Sequence, residues 1–217
     1  MFNAIVLGAT GLTGSVLLKQ LLNQPSCTSV LIPVRRSTGI NHPKLKEMIL
    51  DMEHITEKDV DLPGDVVFNC LGTTIKQAGS QVAQQYVDRD LPIYFAKQAK
   101  RNGAKMMINI SSIGASLTGN FYLKTKAEME AGTKEVFGEH TYHFRPSFLV
   151  GQRKESRIGE SIGIVVMKLA DHLLFGSMRK YHSMPVEILA KAMLKVAEKG
   201  RHEVGILMYD DILNTAN

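Results

Sequence analysis

Tyr122 and Lys126 are the residue pair in this chain whose types and spacing best suit catalysis. They lie in an apolar pattern that predicts a helix over residues 120–137, and residues four positions apart share one helix face. A cation beside a phenol favours the phenolate, so Lys126 is expected to lower the pKa of Tyr122 below its ordinary value of about 10. Such a tyrosine donates and accepts protons near neutral pH, which predicts general acid/base catalysis. The alternative is a surface pair without a catalytic role.

Two serines, Ser111 and Ser112, follow a predicted strand over residues 105–110 and precede Tyr122 by about ten residues. A hydroxyl at this place can hydrogen-bond a substrate oxygen and orient it toward the phenol. The alternative is a serine that only caps the local backbone.

Glycine recurs every third residue at Gly8, Gly11 and Gly14, between a predicted strand over 2–7 and a predicted helix over 15–22. Glycines permit a tight turn and a close approach of backbone amides to a pyrophosphate, and a helix N-terminus attracts anions. An ordinary glycine-rich turn is the alternative. The residues predicted to bind the diphosphate of a dinucleotide are Gly8, Thr10, Gly11, Leu12, Thr13 and Gly14.

The second predicted strand, over residues 30–34, ends in Arg35 and Arg36. The NAD-binding form of this motif places an acidic residue there for the ribose 2′-hydroxyl, whereas guanidinium groups match a 2′-phosphate. NADP(H) is therefore predicted over NAD(H), the alternative being that the arginines only solvate the strand end. Asp51 and Met52, at the third predicted strand (48–52), are a candidate contact with the adenine edge.

Strand-like and helix-like patterns alternate through the first 150 residues. Further strands are predicted over 66–71, 105–110 and 140–150, and a helix over 81–101 has a break near Pro92. This alternation predicts the α/β class, a Rossmann-type doubly wound parallel sheet that binds ligands at the carboxyl ends of its strands.

The pattern changes after residue 150, but a chain of 217 residues suits one domain. Residues 151–217 are expected to form a small helical lid on the substrate side, with helical segments over 164–174 and 185–197. A short segment over 203–209 is a candidate last strand. The prediction is a single NAD(P)-binding domain over residues 1–217.

Composition excludes several classes of protein. Hydrophobic residues form 44% and charged residues 22% of the chain, which is typical of a globular protein. The net charge of +5 is scattered and lacks interleaved aromatic residues, so no nucleic-acid partner is expected. Apolar runs are too short for a membrane span.

Cys27 and Cys70 suit two buried thiols in a reducing cytoplasm. No metal site is predicted, since His140 and His143 would face opposite sides of a strand.

Several short motifs, taken with the features above, resemble the short-chain dehydrogenase/reductase superfamily, in particular its atypical group that includes the Tat-interacting-protein oxidoreductases. These motifs are Gly8-Ala9-Thr10-Gly11-Leu12-Thr13-Gly14, Leu71-Gly72-Thr73-Thr74, Lys76-Gln77-Ala78-Gly79, Val87-Asp88-Arg89-Asp90, Asn120-Phe121-Tyr122, Phe144-Arg145-Pro146 and Glu155-Ser156-Arg157. The resemblance implies an NADP-binding Rossmann fold with Tyr122 as the acid/base and Lys126 on the ribose and phenol. It also favours Ser112 over Ser111.

The same resemblance implies that the backbone of Leu71, Gly72 and Thr73 lines the cofactor, and that Pro146 begins a loop over the nicotinamide. One departure is Asp88, where many dehydrogenases of the superfamily have an asparagine that holds a relay water. The predicted function is hydride transfer between NADP(H) and a small-molecule carbonyl or alcohol. The alternative is a non-catalytic NADP(H)-binding redox sensor; no particular oligomeric state is predicted.

Overall fold

The structure is a computed structural model that describes residues 1–55, 60–151, 176–200 and 205–217. Its strands are β1 (Phe2–Leu7), β2 (Cys27–Val34), β3 (Leu45–Ile49), β4 (Val66–Asn69), β5 (Met106–Ile110), β6 (Thr141–Phe144), β7 (Leu149–Val150), β8 (Met184–Pro185) and β9 (Ile206–Leu207). Its α-helices are α1 (Leu12–Asn23), α2 (Ile75–Ala78), α3 (Gln81–Gln85), α4 (Leu91–Arg101), α5 (Phe121–Phe137), α6 (Val186–Lys199) and α7 (Tyr209–Ala216). A π-helical turn spans Tyr86–Asp90, and 3₁₀ segments span Gly138–His140 and Gly176–Tyr181.

Seven strands form one parallel sheet in the order β3-β2-β1-β4-β5-β6-β9. The chain moves outward from β1 to β3, then returns to place β4 on the other side of β1. Ligands of open α/β sheets bind at the carboxyl ends of strands beside such a reversal. The predicted α/β, Rossmann-type fold is confirmed.

The strands alternate their side chains between two apolar layers. In β1, Val6 packs into one layer and Ile5 into the other; in β4, Phe68 and Val67 divide in the same way. All four side chains are fully buried, and burying a side chain of this size contributes roughly 1.5–3 kcal/mol. Helices cover both faces, which explains why the strands are continuously apolar in sequence.

Two predicted elements are interrupted at prolines. The strand predicted over 140–150 ends at Phe144, because Pro146 has no N–H for a sheet ladder, and pairing resumes only in β7, with β8. The helix predicted over 81–101 is continuous in direction but contains the π turn just before Pro92, the second residue of α4. The third strand lies at Leu45–Ile49, three residues earlier than predicted.

Part of the C-terminal segment that the structure describes packs into the core. Leu189 and Met193 of α6 are fully buried in the same apolar cluster as Leu17 of α1. β9 lies within the candidate last strand over 203–209 and pairs with β6 over two residues, and α7 begins at Tyr209. The expected lid segment over 152–175, which includes the predicted helix over 164–174, lies outside the described residues.

Candidate active site

The glycine turn between β1 and α1 has no room for a side chain at Gly8 or Gly14. Gly8 has φ +73°, and a Cβ there would lie 2.7 Å from the carbonyl oxygen of Cys70 at the end of β4. A Cβ on Gly14 would lie 2.1 Å from the carbonyl oxygen of Gly8. The Gly11 N–H donates to that same oxygen at 2.9 Å. Only glycine fits at Gly8 and Gly14, because any Cβ would meet backbone.

The N-terminus of α1 is open to an anion. No side chain caps it, and its first turn has no acidic residue. The first N–H groups of a helix have no intrahelical partners, and the helix dipole adds positive potential. The turn therefore fits a dinucleotide diphosphate. Of the residues predicted to bind it, Thr10 and Gly11 are exposed, Gly8 and Leu12 are half-buried, and Thr13 and Gly14 are buried.

Arg35 and Arg36 directly follow β2, and both are exposed. β2 neighbours β1, so the two guanidinium groups lie at the same sheet edge as the glycine turn. Across the residues described, neither arginine forms an ion pair. Their charge is therefore available to a ligand.

Asp51 and Met52 follow β3 in an irregular segment. The Asp51 carboxylate accepts a hydrogen bond from the Glu53 N–H at 3.0 Å, and the Met52 carbonyl accepts one from the Tyr86 hydroxyl at 2.7 Å. Met52 is half-buried against the core. The hydrogen bond from Tyr86 thus connects this segment to the π turn. Asp51 itself is exposed.

Side chains form hydrogen bonds with both ends of the loop after β4, residues 71–73. The Leu71 N–H donates to Asn69 Oδ1 at 3.1 Å, and the Thr73 N–H donates to Asp88 Oδ1 at 2.8 Å. Gln84 Nε2 also donates to the Thr73 carbonyl at 3.2 Å. A Cβ on Gly72, between these anchors, would lie 3.8 Å from Lys126 Nζ. This loop therefore brings the region after β4 against α5.

Tyr122 and Lys126 lie on one face of α5, as their spacing predicts. Asn120 caps the helix by accepting the Leu123 N–H at 3.0 Å. Lys126 Nζ lies 5.9 Å from the centre of the Tyr122 ring. Tyr122 is 38% exposed, whereas the Lys126 side chain is 4% exposed. The phenol is accessible and the ammonium lies deep beneath it.

The predicted lowering of the Tyr122 pKa by Lys126 is wrong. Burial raises the pKa of Tyr122; the Ser112 hydroxyl opposes this rise and the negative charge of Asp88 adds to it. Burial also lowers the pKa of Lys126, which Asp88 and Glu130 oppose. The reason is that loss of water around the phenol outweighs the neighbouring groups, and Asp88, which faces Lys126, adds a negative charge nearby.

The two serines differ in position. Ser112 is half-buried near Tyr122, and its hydroxyl donates weakly to the Ile113 carbonyl at 3.3 Å. Ser111 is buried, and its Oγ has no partner among the described residues. The Pro146 carbonyl accepts the Ile113 N–H at 2.9 Å, which places the start of the 146 loop against the serine loop. The arrangement brings Ser112, Tyr122 and Pro146 to one sheet edge.

The contact between Asp88 and Lys126 was not predicted from the sequence. Its Oδ2 lies 3.9 Å from Lys126 Nζ, and both side chains are buried. The Val87-Asp88-Arg89-Asp90 motif marked the position, but no spacing rule links residue 88 to residue 126. Only the packing of the π turn against α5 brings them together.

A buried polar network lies beneath the site at β4, β5 and β6; it consists of Asn69, Asn109, Thr133 and His143. Asn69 Nδ2 donates to Asn109 Oδ1 at 3.1 Å, and Asn109 Nδ2 contacts Thr133 Oγ1 at 3.0 Å and His143 Nδ1 at 3.3 Å. Burial lowers the pKa of His143 from 6.5 to about 4, so the imidazole is neutral and Nδ1 accepts.

The described residues do not provide a metal-binding cluster, and their cysteines are poorly suited to thiolate chemistry. No cluster of three His, Cys, Asp or Glu side chains suited to a metal occurs among them. Both cysteines are free thiols, and burial raises the pKa of Cys70 to about 12, which disfavours a reactive thiolate. Within the described ranges, every helix is too short or too polar to span a bilayer.

Comparison with known proteins identifies the family. Residues 4–138 match the model of the NAD dependent epimerase/dehydratase family. The chain is 34% identical to Protein HTATIP2 of Rattus norvegicus over 201 residues, covering 88% of this chain and 79% of that protein. It is 30% identical to the mitochondrial protein FMP52 of Eremothecium gossypii over 215 residues, covering 98% and 96%.

Solved structures with the same fold are also similar. The human epimerase family protein SDR39U1 with NADPH has a TM-score of 0.63 and 18% identity, covering 94% of this chain and 72% of that one. A putative NAD-dependent epimerase/dehydratase from Bacillus halodurans has a TM-score of 0.67 and 18% identity, covering 100% and 99%. At this identity the likeness shows the fold.

The prediction of a cytoplasmic protein is contradicted by these relatives. FMP52 proteins of Eremothecium gossypii and Candida albicans are named as mitochondrial. Two unpaired cysteines indicate a reducing environment but do not distinguish one reducing compartment from another. The cysteine content therefore could not predict the cytoplasm in particular.

Proposed function

Because the chain belongs to the NAD dependent epimerase/dehydratase family, we propose that it is an NADP(H)-dependent oxidoreductase acting on a small carbonyl or alcohol. The observation that carries the proposal is the placement of the 71–73 loop beside Lys126, with a Cβ on Gly72 only 3.8 Å from Nζ. This loop follows β4, whose neighbour β1 leads into the glycine turn. The cofactor cradle and the acid/base pair therefore share one sheet edge.

NADP(H) is favoured over NAD(H) by Arg35 and Arg36. Both are exposed at the end of β2 and are not engaged in ion pairs among the described residues. Guanidinium groups bind phosphate through charge-assisted, bidentate hydrogen bonds, while a ribose hydroxyl would leave their charge unmatched. The SDR39U1 structure, which contains NADPH, is consistent with this choice.

Each residue of the site has a distinct task in the proposed reduction. The bound dinucleotide supplies the hydride. Tyr122 donates its phenolic proton to the substrate oxygen, and Ser112 orients that oxygen through its hydroxyl. Lys126 would bind the ribose of the cofactor, with its ammonium 5.9 Å from the centre of the Tyr122 ring. Pro146 begins the loop that closes over the nicotinamide, and Asp51 and Met52 border the adenine end.

Replacement of Tyr122 by phenylalanine tests this proposal. Tyr122→Phe removes the proton donor and keeps the ring, so reduction of a carbonyl panel by NADPH should fall at least 100-fold with cofactor affinity nearly unchanged. The measurement is NADPH consumption, with the dissociation constant obtained by fluorescence. Tyr181→Phe, a substitution at an exposed tyrosine outside the site, is the matched control.

A non-catalytic NADP(H) sensor is the second candidate, because the raised pKa of Tyr122 disfavours the phenolate that the oxidative direction of the reaction would need. A phenol that does not ionise near neutral pH is a weak base for the oxidative direction. A wild-type protein that binds NADPH but reduces no carbonyl of the panel would support the sensor and contradict the oxidoreductase.

A further inference from the structure

Asp88 is a fully buried carboxylate with one oxygen engaged and one open. Oδ1 accepts the Thr73 N–H at 2.8 Å. Oδ2 has no hydrogen-bond partner in the part of the chain that the structure describes, and it lies 3.9 Å from Lys126 Nζ. Burial raises the pKa of Asp88, and the charge of Lys126 and hydrogen bonding oppose that rise. A buried carboxylate costs several kcal/mol unless a partner compensates its charge, so the ionised form of Asp88 depends on Lys126.

The backbone around Asp88 is specialised as well. The residue lies in the π turn Tyr86–Asp90, where the Leu91 N–H donates to the Tyr86 carbonyl five residues earlier. Pro92 follows and offers no N–H, so it cannot donate to the carbonyl of residue 88. π turns widen a helix and occur frequently at functional sites. Here the wide turn places Asp88 between the 71–73 loop and α5.

Other charges near Lys126 are already engaged. Glu130 lies one turn further along α5, but its two oxygens accept Arg145 Nε at 2.8 Å and Nη2 at 2.5 Å. Tyr122 is the remaining titratable neighbour on α5 and is a phenol at neutral pH. Asp88, from the π turn, is therefore the carboxylate with a free oxygen that faces the ammonium.

We propose that Asp88 is a positioning residue: one oxygen fastens the 71–73 loop, and the other is the counter-charge that holds the Lys126 ammonium beneath Tyr122. This rests on the proposed function in taking Tyr122 as the acid. The negative charge of Asp88 opposes ionisation of Tyr122, so the phenol enters the proposed reduction in its protonated form.

Asp88→Asn separates the two tasks, because the amide oxygen can still accept the Thr73 N–H while the negative charge is lost. Loss of a nearby negative charge makes proton release easier from both Tyr122 and Lys126. The pKa of Tyr122 should therefore fall, by about one unit, a tenfold change in its ionisation constant. Ultraviolet difference titration of the cofactor-free full chain measures it, with the matching Tyr122→Phe protein subtracted to isolate this phenol.

Asp90→Asn is the matched control, since Asp90 lies on the same turn but pairs with Arg89 at 2.7 Å. Its titration curve should overlay the wild-type curve. An unchanged Tyr122 titration in Asp88→Asn would overturn the proposal, because it would mean that residue 88 carries no charge at the phenol. The titration requires no turnover, so a protein that reduces no carbonyl would refute the oxidoreductase and leave this test intact.

A double-mutant cycle provides a readout that does not depend on the phenol. Lys126→Met should destabilise the wild type strongly, because it leaves Asp88 buried without a cation, and should destabilise Asp88→Asn much less. Denaturant unfolding monitored by circular dichroism gives the four stabilities. Additive losses would overturn the assignment, while a smaller loss in the double variant than the sum of the single losses supports it.

Discussion

The glycine turn and the corner formed by Asp88, Tyr122 and Lys126 are two parts of the candidate site. They differ in that the turn acts through backbone groups and the corner acts through side chains. The glycine turn is a run of seven consecutive residues whose function resides in backbone N–H groups and close backbone contacts. The corner is made of side chains from the π turn and α5, and it depends on buried charges. The glycine turn is therefore sensitive to added volume, whereas the corner is sensitive to changes of charge.

The same contrast explains what could be predicted from sequence. The glycine spacing, β1 and its neighbouring helix are local patterns: β1 spans the predicted residues 2–7, and α1 begins at Leu12, three residues before its predicted start. The pairing of Asp88 with Lys126 spans 38 residues along the chain, so it arises only when α5 packs on the π turn. For this reason the spacing of Tyr122 and Lys126 predicted their shared face of α5 but not the direction of the Tyr122 pKa shift.

Boundaries were less predictable than elements. The apolar pattern marks the strands because both sheet faces are buried, but a run of apolar residues does not show where ladder pairing stops. The sixth strand therefore ended earlier than predicted, at Phe144, and α7 begins at Tyr209, the last residue of the candidate strand over 203–209. Proline chemistry explains the first difference, and the second agrees with Asp211, whose carboxylate accepts the Met208 N–H at 2.9 Å at the start of the helix.

The largest expected effect comes from adding one methyl group to the glycine turn. In Gly14→Ala, the new Cβ would lie 2.1 Å from the Gly8 carbonyl oxygen, so β1 and α1 must move apart. We expect dinucleotide affinity to fall at least 100-fold and the free energy of unfolding to fall by about 1–3 kcal/mol, the usual cost of overpacking. Calorimetric titration and denaturant unfolding measure the two quantities.

Gly205→Ala is the control for this substitution, because a Cβ there makes only an ordinary contact, 3.6 Å from the Thr141 carbonyl oxygen. It should bind the dinucleotide like the wild type. Undiminished affinity in Gly14→Ala would contradict the claim that the backbone of this turn forms the cradle.

An effect on stability alone, with no change expected in dinucleotide affinity, should come from His143 in the polar network beneath the corner. The unfolded chain takes up a proton on this imidazole near pH 6.5, whereas burial holds the folded pKa at about 4. The neutral imidazole therefore contributes stability above pH 6.5, and this contribution is lost as the pH falls to 4. The shift corresponds to about 3 kcal/mol.

His143→Asn should flatten that part of the pH dependence, because an amide oxygen can still accept from Asn109 but does not titrate. The measurement is the free energy of unfolding at several pH values between 7 and 4, compared with the wild type and with the exposed substitution His140→Asn. Parallel curves for wild type and His143→Asn would show that His143 is not held neutral by burial.

The central claim is that the turn after β1 holds a dinucleotide whose 2′-phosphate is selected by Arg35, and isothermal titration calorimetry tests it most directly. We predict that the wild type binds NADPH more tightly than NADH, and that Arg35→Ala weakens NADPH about 10- to 100-fold while NADH changes little. Equal losses for the two dinucleotides would contradict the selection by Arg35. Binding of neither dinucleotide to folded wild-type protein would contradict the whole account.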